Sequence, residues 1–179
     1  MKTNWQTKKL EECLEHVTYT KKIQRKDFLK SGDYHPIVSQ EKDLINGYWD
    51  NKKDLFQVRV PLVVFGDHTQ ILKYVDFDFV LGADGVKILQ PKKFLDPKFF
   101  YYFLQGIDLK SLGYARHYRL LKENNILFPE SLSEQKAIVK KLDELVGKTK
   151  RIETIYQQKI DDLEELKKSI LQKAFNGKL

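Results

Sequence analysis

The order of apolar and polar positions divides this chain near Pro129. Before it the pattern changes style several times, and after it one spacing of threes and fours runs almost to the end. Strand signals concentrate between Tyr48 and Leu89. Residues 57–65 are rich in Val, Leu and Phe, and Val75, Phe77, Phe79 and Leu81 alternate with Asp76, Asp78 and Val80. Val86 to Leu89 predicts a further short strand. Gly66-Asp67-His68-Thr69 and Gly82-Ala83-Asp84-Gly85 hold the small and acidic residues that tight turns require. Together these predict a curved antiparallel sheet with Asp76 and Asp78 on its solvent side. Asp96 and Pro97 then read as the N-cap and first residue of an aromatic, core-packed helix over 99–104, and Gly106 is placed to end it.

Beyond Pro129, Ser131 with Glu134 three residues later forms a capping-box pattern that opens a long helix. Apolar residues follow at Ile138, Leu142, Leu145, Ile152, Tyr156, Leu163, Leu166 and Ile170, with Thr149 and Lys159 as polar interruptions. Apart from Gly147, no Gly or Pro intervenes before Asn176-Gly177. At about 1.5 Å per residue, some ~42 helical residues make a rod of about 63 Å. Such a rod outgrows a globule of ~130 residues, so the stripe predicts pairing with another helix rather than burial on its own domain. The expected fold is therefore α+β: a domain over 1–130 with a curved antiparallel sheet and short helices, then a spacer and dimerisation helix over 131–179 that forms an antiparallel coiled coil.

Composition adds limits. The 179 residues suffice for one ordinary domain and one appended element. No apolar run is long enough to span a bilayer, the first residues lack a secretory apolar segment, and Cys13 is a lone cysteine; these point to the reducing cytoplasm. Net charge is +7, with 11 Lys/Arg against 8 Asp/Glu from Ser133 onward and 21 against 17 before it. The positive charge is local, in Lys21-Lys22-Ile23-Gln24-Arg25-Lys26 and in Arg116-His117-Tyr118-Arg119 with Lys122. Both segments are candidate phosphate or base contacts.

Catalytic signatures are missing from the sequence. It holds no Walker-type phosphate loop, no Asn-Pro-Pro-Tyr and no glycine-rich fingerprint for a methyl donor. His16, His35, His68 and His117 are scattered without metal-ligand spacing, and Asp76, Asp78, Asp84 and Lys87 suit a solvated face better than a nuclease metal site. No metal and no bound cofactor is expected.

Leu132-Ser133-Glu134-Gln135-Lys136-Ala137-Ile138-Val139 at the opening of the helix resembles the conserved-region entry of the specificity (S) subunits of type I restriction-modification enzymes. The closing run from Leu166 to Leu179, with its Lys173-Ala174-Phe175-Asn176-Gly177-Lys178-Leu179, is similar to the C-terminal signature of that family. The globular part resembles target recognition domains in Phe65-Gly66-Asp67-His68-Thr69, Gly82-Ala83-Asp84-Gly85-Val86-Lys87 and Tyr114-Ala115-Arg116-His117-Tyr118. Trp5 to Leu14 is similar to the segment that introduces such a domain. A usual S subunit carries two recognition domains and two spacer helices in about twice this length. Two origins stay open: a natural half that homodimerises, or a truncated piece.

The resemblance implies double-stranded DNA as ligand and a non-catalytic role. S-adenosylmethionine, ATP and Mg would belong to partner methylation and restriction subunits. Gln24, Gln40 and Arg25 then suit adenine or guanine edges, and Lys21, Lys22 and Lys26 suit phosphates. Without the resemblance, residues 21–26 read as a solvated charge run. His68 and Thr69 either contact DNA or simply connect strands. Arg116, His117, Tyr118 and Arg119, behind Gly113 on a glycine-led loop, form the second contact segment. The competing reading is a coiled-coil assembly module whose basic patches only keep it soluble.

Overall fold

The computed structural model describes residues 4–19, 21–32, 34–82, 85–109 and 116–178. Gly113, Tyr114, Ala115, Ala83 and Asp84 of the motifs above lie outside the described residues. Strands β1 (Trp5–Lys9) and β9 (Asn125–Pro129) pair antiparallel, joining the beginning of the domain to its end. A second sheet has the order β3-β2-β7-β4, from β2 (His35–Val38), β3 (Gly47–Trp49), β4 (Leu55–Phe56) and β7 (Phe79–Leu81). The third is antiparallel, β6-β5-β8, from β5 (Leu62–Gly66), β6 (Leu72–Val75) and β8 (Val86–Leu89). Helices α1 (Pro97–Gln105), α2 (Tyr118–Lys122) and α3 (Leu132–Phe175) complete the chain.

The α+β class and the mainly antiparallel pairing agree with the sequence pattern. Three details differ. The β signals fall into three small sheets rather than one curved sheet, and β2 pairs with β7 in parallel. The alternation over 75–81 is not one strand. The chain leaves the third sheet after Val75 and enters the second at Phe79, and the Asp78 carboxylate, exposed as expected, accepts the Val58 backbone amide at 2.8 Å. Alternation alone cannot reveal a change of sheet at a side chain that captures a backbone donor.

β5 shows why an unbroken apolar run was needed. Val63 and Phe65 enter a core with Leu10, Phe100, Leu104, Leu121 and Phe128, whereas Leu62 and Val64 enter a second one with Val38, Phe79 and Leu81. Successive side chains point to opposite faces of a strand, so a strand between two cores has no polar face. Burying each such large side chain stabilises the domain by about 1.5–3 kcal/mol. α1 follows its sequence signals: the Asp96 carboxylate accepts the Lys98 and Phe99 amides, each at 3.0 Å, and Gly106 caps the end.

The start of α3 is held differently from expectation. The Ser131 hydroxyl pairs with Ser133 Oγ at 2.7 Å. Anchoring falls to Gln135, which is fully buried: its Nε2 donates to Phe94 O at 3.0 Å and to Pro129 O at 2.8 Å, and its Oε1 accepts from Asp96 N at 2.7 Å. This glutamine joins α3, β9 and the entry to α1. The compact unit runs to Val139 and a second unit begins at Lys140, because the first two turns of α3 belong to the globular core. At the far end, Lys178 N bonds Lys173 O and Gly177 N bonds Ala174 O, with Gly177 at φ +64°. That pair of bonds is a Schellman stop, and it explains the Asn-Gly ending.

Candidate nucleic-acid interface

The turn after β5 organises the candidate site. Asp67 N donates to Gly85 O at 2.7 Å, His117 N to Asp67 O at 2.8 Å, and Tyr118 N to the Asp67 carboxylate at 2.7 Å. The His117 ring approaches the same Asp67 carbonyl at 3.0 Å through Nδ1. Thr69 Oγ1 donates to Gln40 O at 2.7 Å. Thus Gln40, the 66–69 turn, Gly85 and the 116–119 segment form one connected body. Close packing enforces the glycines: a Cβ on Gly66 would lie 2.3 Å from Thr69 Oγ1 and 2.8 Å from Gln40 Cβ, and one on Gly85 2.7 Å from His68 Cδ2.

A basic rim surrounds this body. Lys87 and Lys122 each place Nζ 5.4 Å from the centre of the Tyr118 ring, and Lys22 donates to Val86 O at 3.3 Å while lying 5.2 Å from the Tyr19 ring. Burial first, and then the Glu11 carboxylate, hold the Tyr118 hydroxyl above the ordinary tyrosine range, so it stays neutral near pH 7. A cleft of about 230 Å³ opens between Tyr19, Lys87, Tyr118 and residues 14–17. Lys122 also pairs with Glu11 at 3.5 Å and Glu15 lines the cleft, so the positive potential rests mainly on Lys22 and Lys87, and the aromatic ring beside them offers a flat surface for a sugar or base.

Gln40 connects the two basic segments. Its neighbour Glu41 pairs with Arg25 at 3.2 Å, on the short 3-10 turn Arg25–Asp27 that Gln24 precedes. Gln40 Oε1 is buried with no hydrogen-bond partner among the described residues. That oxygen is closed off against Gly85, so its desolvation is a local cost that the packing of the turn offsets. Beneath this segment the buried Lys73 donates to Asp43 O and, at 2.8 Å, to Asn46 Oδ1, fixing the 43–46 loop. Burial lowers its pKa to about 8.

The predicted contact residues divide by exposure. Lys21, Gln24, Arg25, Lys26, Thr69, Arg116 and Arg119 are exposed; Lys22, Gln40, His68 and Tyr118 are half-buried. His117 is buried at 1% exposure. It is a brace for the turn rather than a surface contact. Tyr118 and Arg119 lie on α2, not on a mobile loop, since Asp67 fixes the first helical amide. Lys87 and Asp67 were missed as members of the site. Lys122 was already counted with the second basic segment, but nothing in the sequence links Asp67 to residues fifty positions later. Among the described residues no group of His, Cys, Asp and Glu could hold a metal ion, and no helix is long and apolar enough to cross a membrane. A larger cleft of about 550 Å³ beside Pro91, Leu95, Pro97 and Leu132 contains none of the predicted contact residues.

In the second unit, Leu145, Ile152, Tyr156, Leu163, Leu166 and Ile170 of the stripe are exposed, and Leu142 is half-buried. Ile138 is partly buried against the larger globular core, so it already has partners there. Val146, Ile155 and Ile160 are exposed apolar residues that the spacing did not select.

The arrangement is an open face with a lysine rim, carried by an α+β domain. Residues 2–165 match the family described as type I restriction modification DNA specificity domain, and the chain belongs to that family. It is similar to the specificity subunit of the type I restriction enzyme EcoR124I/EcoR124II of Escherichia coli, with 31% identity over 70 residues that cover 36% of this chain and 17% of that one. The fold is similar to that of the HsdS subunit of Thermoanaerobacter tengcongensis, at TM-score 0.62 and 18% identity over 100% of this chain and 46% of the other. It is also similar to a chain from work on complex assembly and conformational transition of the type I R-M system, at TM-score 0.74 and 19% identity over 98% and 46%. The chain therefore spans less than half the length of these relatives.

Proposed function

We propose that this chain reads DNA sequence as one half of a type I specificity subunit: one recognition domain and one spacer helix, with no chemistry of its own. The observation that carries this is the connection of two distant basic segments, residues 21–26 and 116–119, through Gln40 and Asp67 to one turn. A groove-reading face needs side chains held rigidly at its centre and cations at its rim, and this arrangement supplies both.

Lys22, Lys87 and Lys122 take phosphates. Gln40, Arg25, Arg116 and Arg119 reach base edges, and Tyr118 packs against the backbone between them. The helix spaces this domain from a second one and presents both to methylation and restriction subunits in the cytoplasm. S-adenosylmethionine and ATP chemistry belong to those subunits. Pairing of two identical halves gives the protein twofold symmetry, which fits a palindromic site of two short half-sites around an unread spacer.

Binding to a random-sequence duplex library over a salt series, with the methylation subunit present, tests the reading. If each protomer neutralises about four phosphates, log affinity falls with log salt at a slope near about −3.6, and selection enriches one bipartite motif. Salt-insensitive binding, or no enriched motif, favours an assembly module instead.

A further inference from the structure

The self-pairing reading leaves open how two copies of α3 meet, and the polar interruptions of the stripe answer it. We infer that a second copy docks antiparallel on the exposed apolar face of α3, in the single register whose twofold axis passes beside Thr154. This deepens the homodimer reading above and rests on it.

In antiparallel helices, core positions of one chain layer against the complementary core positions of the other, and the flanking positions meet their own kind. With the axis beside Thr154, Leu142 layers on Leu166 of the second copy, Leu145 on Leu163, and Ile152 on Tyr156. The two polar positions, Thr149 and Lys159, fall opposite each other. Thr149 already donates its hydroxyl to Leu145 O at 3.1 Å, so it enters the layer with its polar atom satisfied. The flanks agree independently. Val146 meets Ile160, Ile155 meets its own copy, and Lys148 meets Asp162. These are three of the exposed apolar residues of α3 outside the stripe, where Leu132, Leu171 and Phe175 are exposed as well, together with a complementary charge pair.

Neighbouring registers lose these matches. Sliding one heptad in one direction sets Leu142 against Lys173, Tyr156 against Lys159 and Ile155 against Asp162. Sliding it in the other direction sets Leu142 against Lys159 and Ile155 against Lys148. Either slide buries cations against leucine or tyrosine, and both shorten the overlap. The Thr154 register also gives the longest overlap, from Leu142 to Leu166 of each copy, since Ile138, opposite Ile170, is already packed against the globular core. Its one unfavourable contact is Glu153 with its own copy.

Thiol crosslinking of the full chain with a short bifunctional reagent tests the register. The native thiol, Cys13, is buried, and burial raises its pKa, so the unmodified chain reports background. Ile155→Cys, close to the axis, should run mostly as a covalent dimer, whereas Leu163→Cys, distant from its own copy, should stay at background. The double variant Leu145→Cys/Leu163→Cys should crosslink where either single variant does not. Crosslinking of Leu163→Cys alone would overturn the antiparallel arrangement. Background levels for Ile155→Cys and for the double variant, in a protein that sediments as a dimer, would overturn this register. The same result in a protein that sediments as a monomer would overturn self-pairing as well.

Discussion

The Asp67 carboxylate accepts the Tyr118 backbone amide at 2.7 Å across 51 positions of sequence, while the Asp67 backbone carbonyl takes the amide of His117. Asp67 is buried, so these bonds are shielded from water and fix where α2 begins relative to the 66–69 turn. Asp67→Ala should destabilise the domain by about 1.5–3 kcal/mol, the usual value for a hydrogen bond to a charged group, and Asp67→Asn by less because its amide oxygen still accepts. Urea unfolding of both variants checks the ranking.

Arg116→Ala and Arg119→Ala should each weaken DNA binding by about 1–3 kcal/mol if the arginine reads a base edge. Neither should change stability by more than about 0.5 kcal/mol, since both are exposed and Arg119 makes only a 3.9 Å contact with Glu123. Duplex titration beside thermal unfolding separates the two effects. Unchanged affinity in both variants would remove α2 from the DNA face.

Lys73 gives a pH signature. Its folded pKa is about 8 against an ordinary 10.5, so between those values the unfolded chain binds the extra proton and stability rises with pH, by at most about 1.4 kcal/mol per unit. Lys73→Met lacks this contribution. The stability of wild type relative to the variant should therefore increase between pH 7 and pH 9 in paired urea melts. A constant difference would mean that Lys73 titrates normally.

How legible this was differs by element. α1 and the stop of α3 were readable because Asp96, Gly106 and Gly177 act on their own neighbours in the chain. The change of sheet at Asp78 and the Gln135 anchor were not, since their partners are Val58, Phe94 and Asp96, which only the fold brings near. The same holds for the candidate site. The basic segments and the exposed stripe were visible as local composition, but the bracing role of His117 and the membership of Lys87 depend on Asp67 and Tyr118 meeting. Val146, Ile155 and Ile160 escaped the heptad count because they occupy its flanks.

Helix pairing can be broken at one residue. Leu142→Lys or Leu163→Lys introduces a charge into the seam, so either variant should remain folded and sediment as a monomer where the unmodified chain is a dimer. An unchanged dimer would mean that copies meet elsewhere.

The spacer of the recognised site should follow the helix. Duplicating one heptad of α3 at the axis, after Thr154, adds about 10 Å, or roughly three base pairs at about 3.4 Å each, without altering the half-sites. Insertion away from the axis would put the new heptad opposite different residues in the two chains and break the register. An unchanged spacer would show that α3 does not set the reading distance.

The central claim is that this chain selects a DNA sequence. Methylation mapping in a host that expresses it with a methylation subunit of a type I system tests that claim most directly. The account predicts new methylation confined to one palindromic motif of two half-sites around an unread spacer, and its loss with Arg116→Ala/Arg119→Ala. A host in which the chain is folded and bound to the methylation subunit, yet no motif gains methylation, would contradict it.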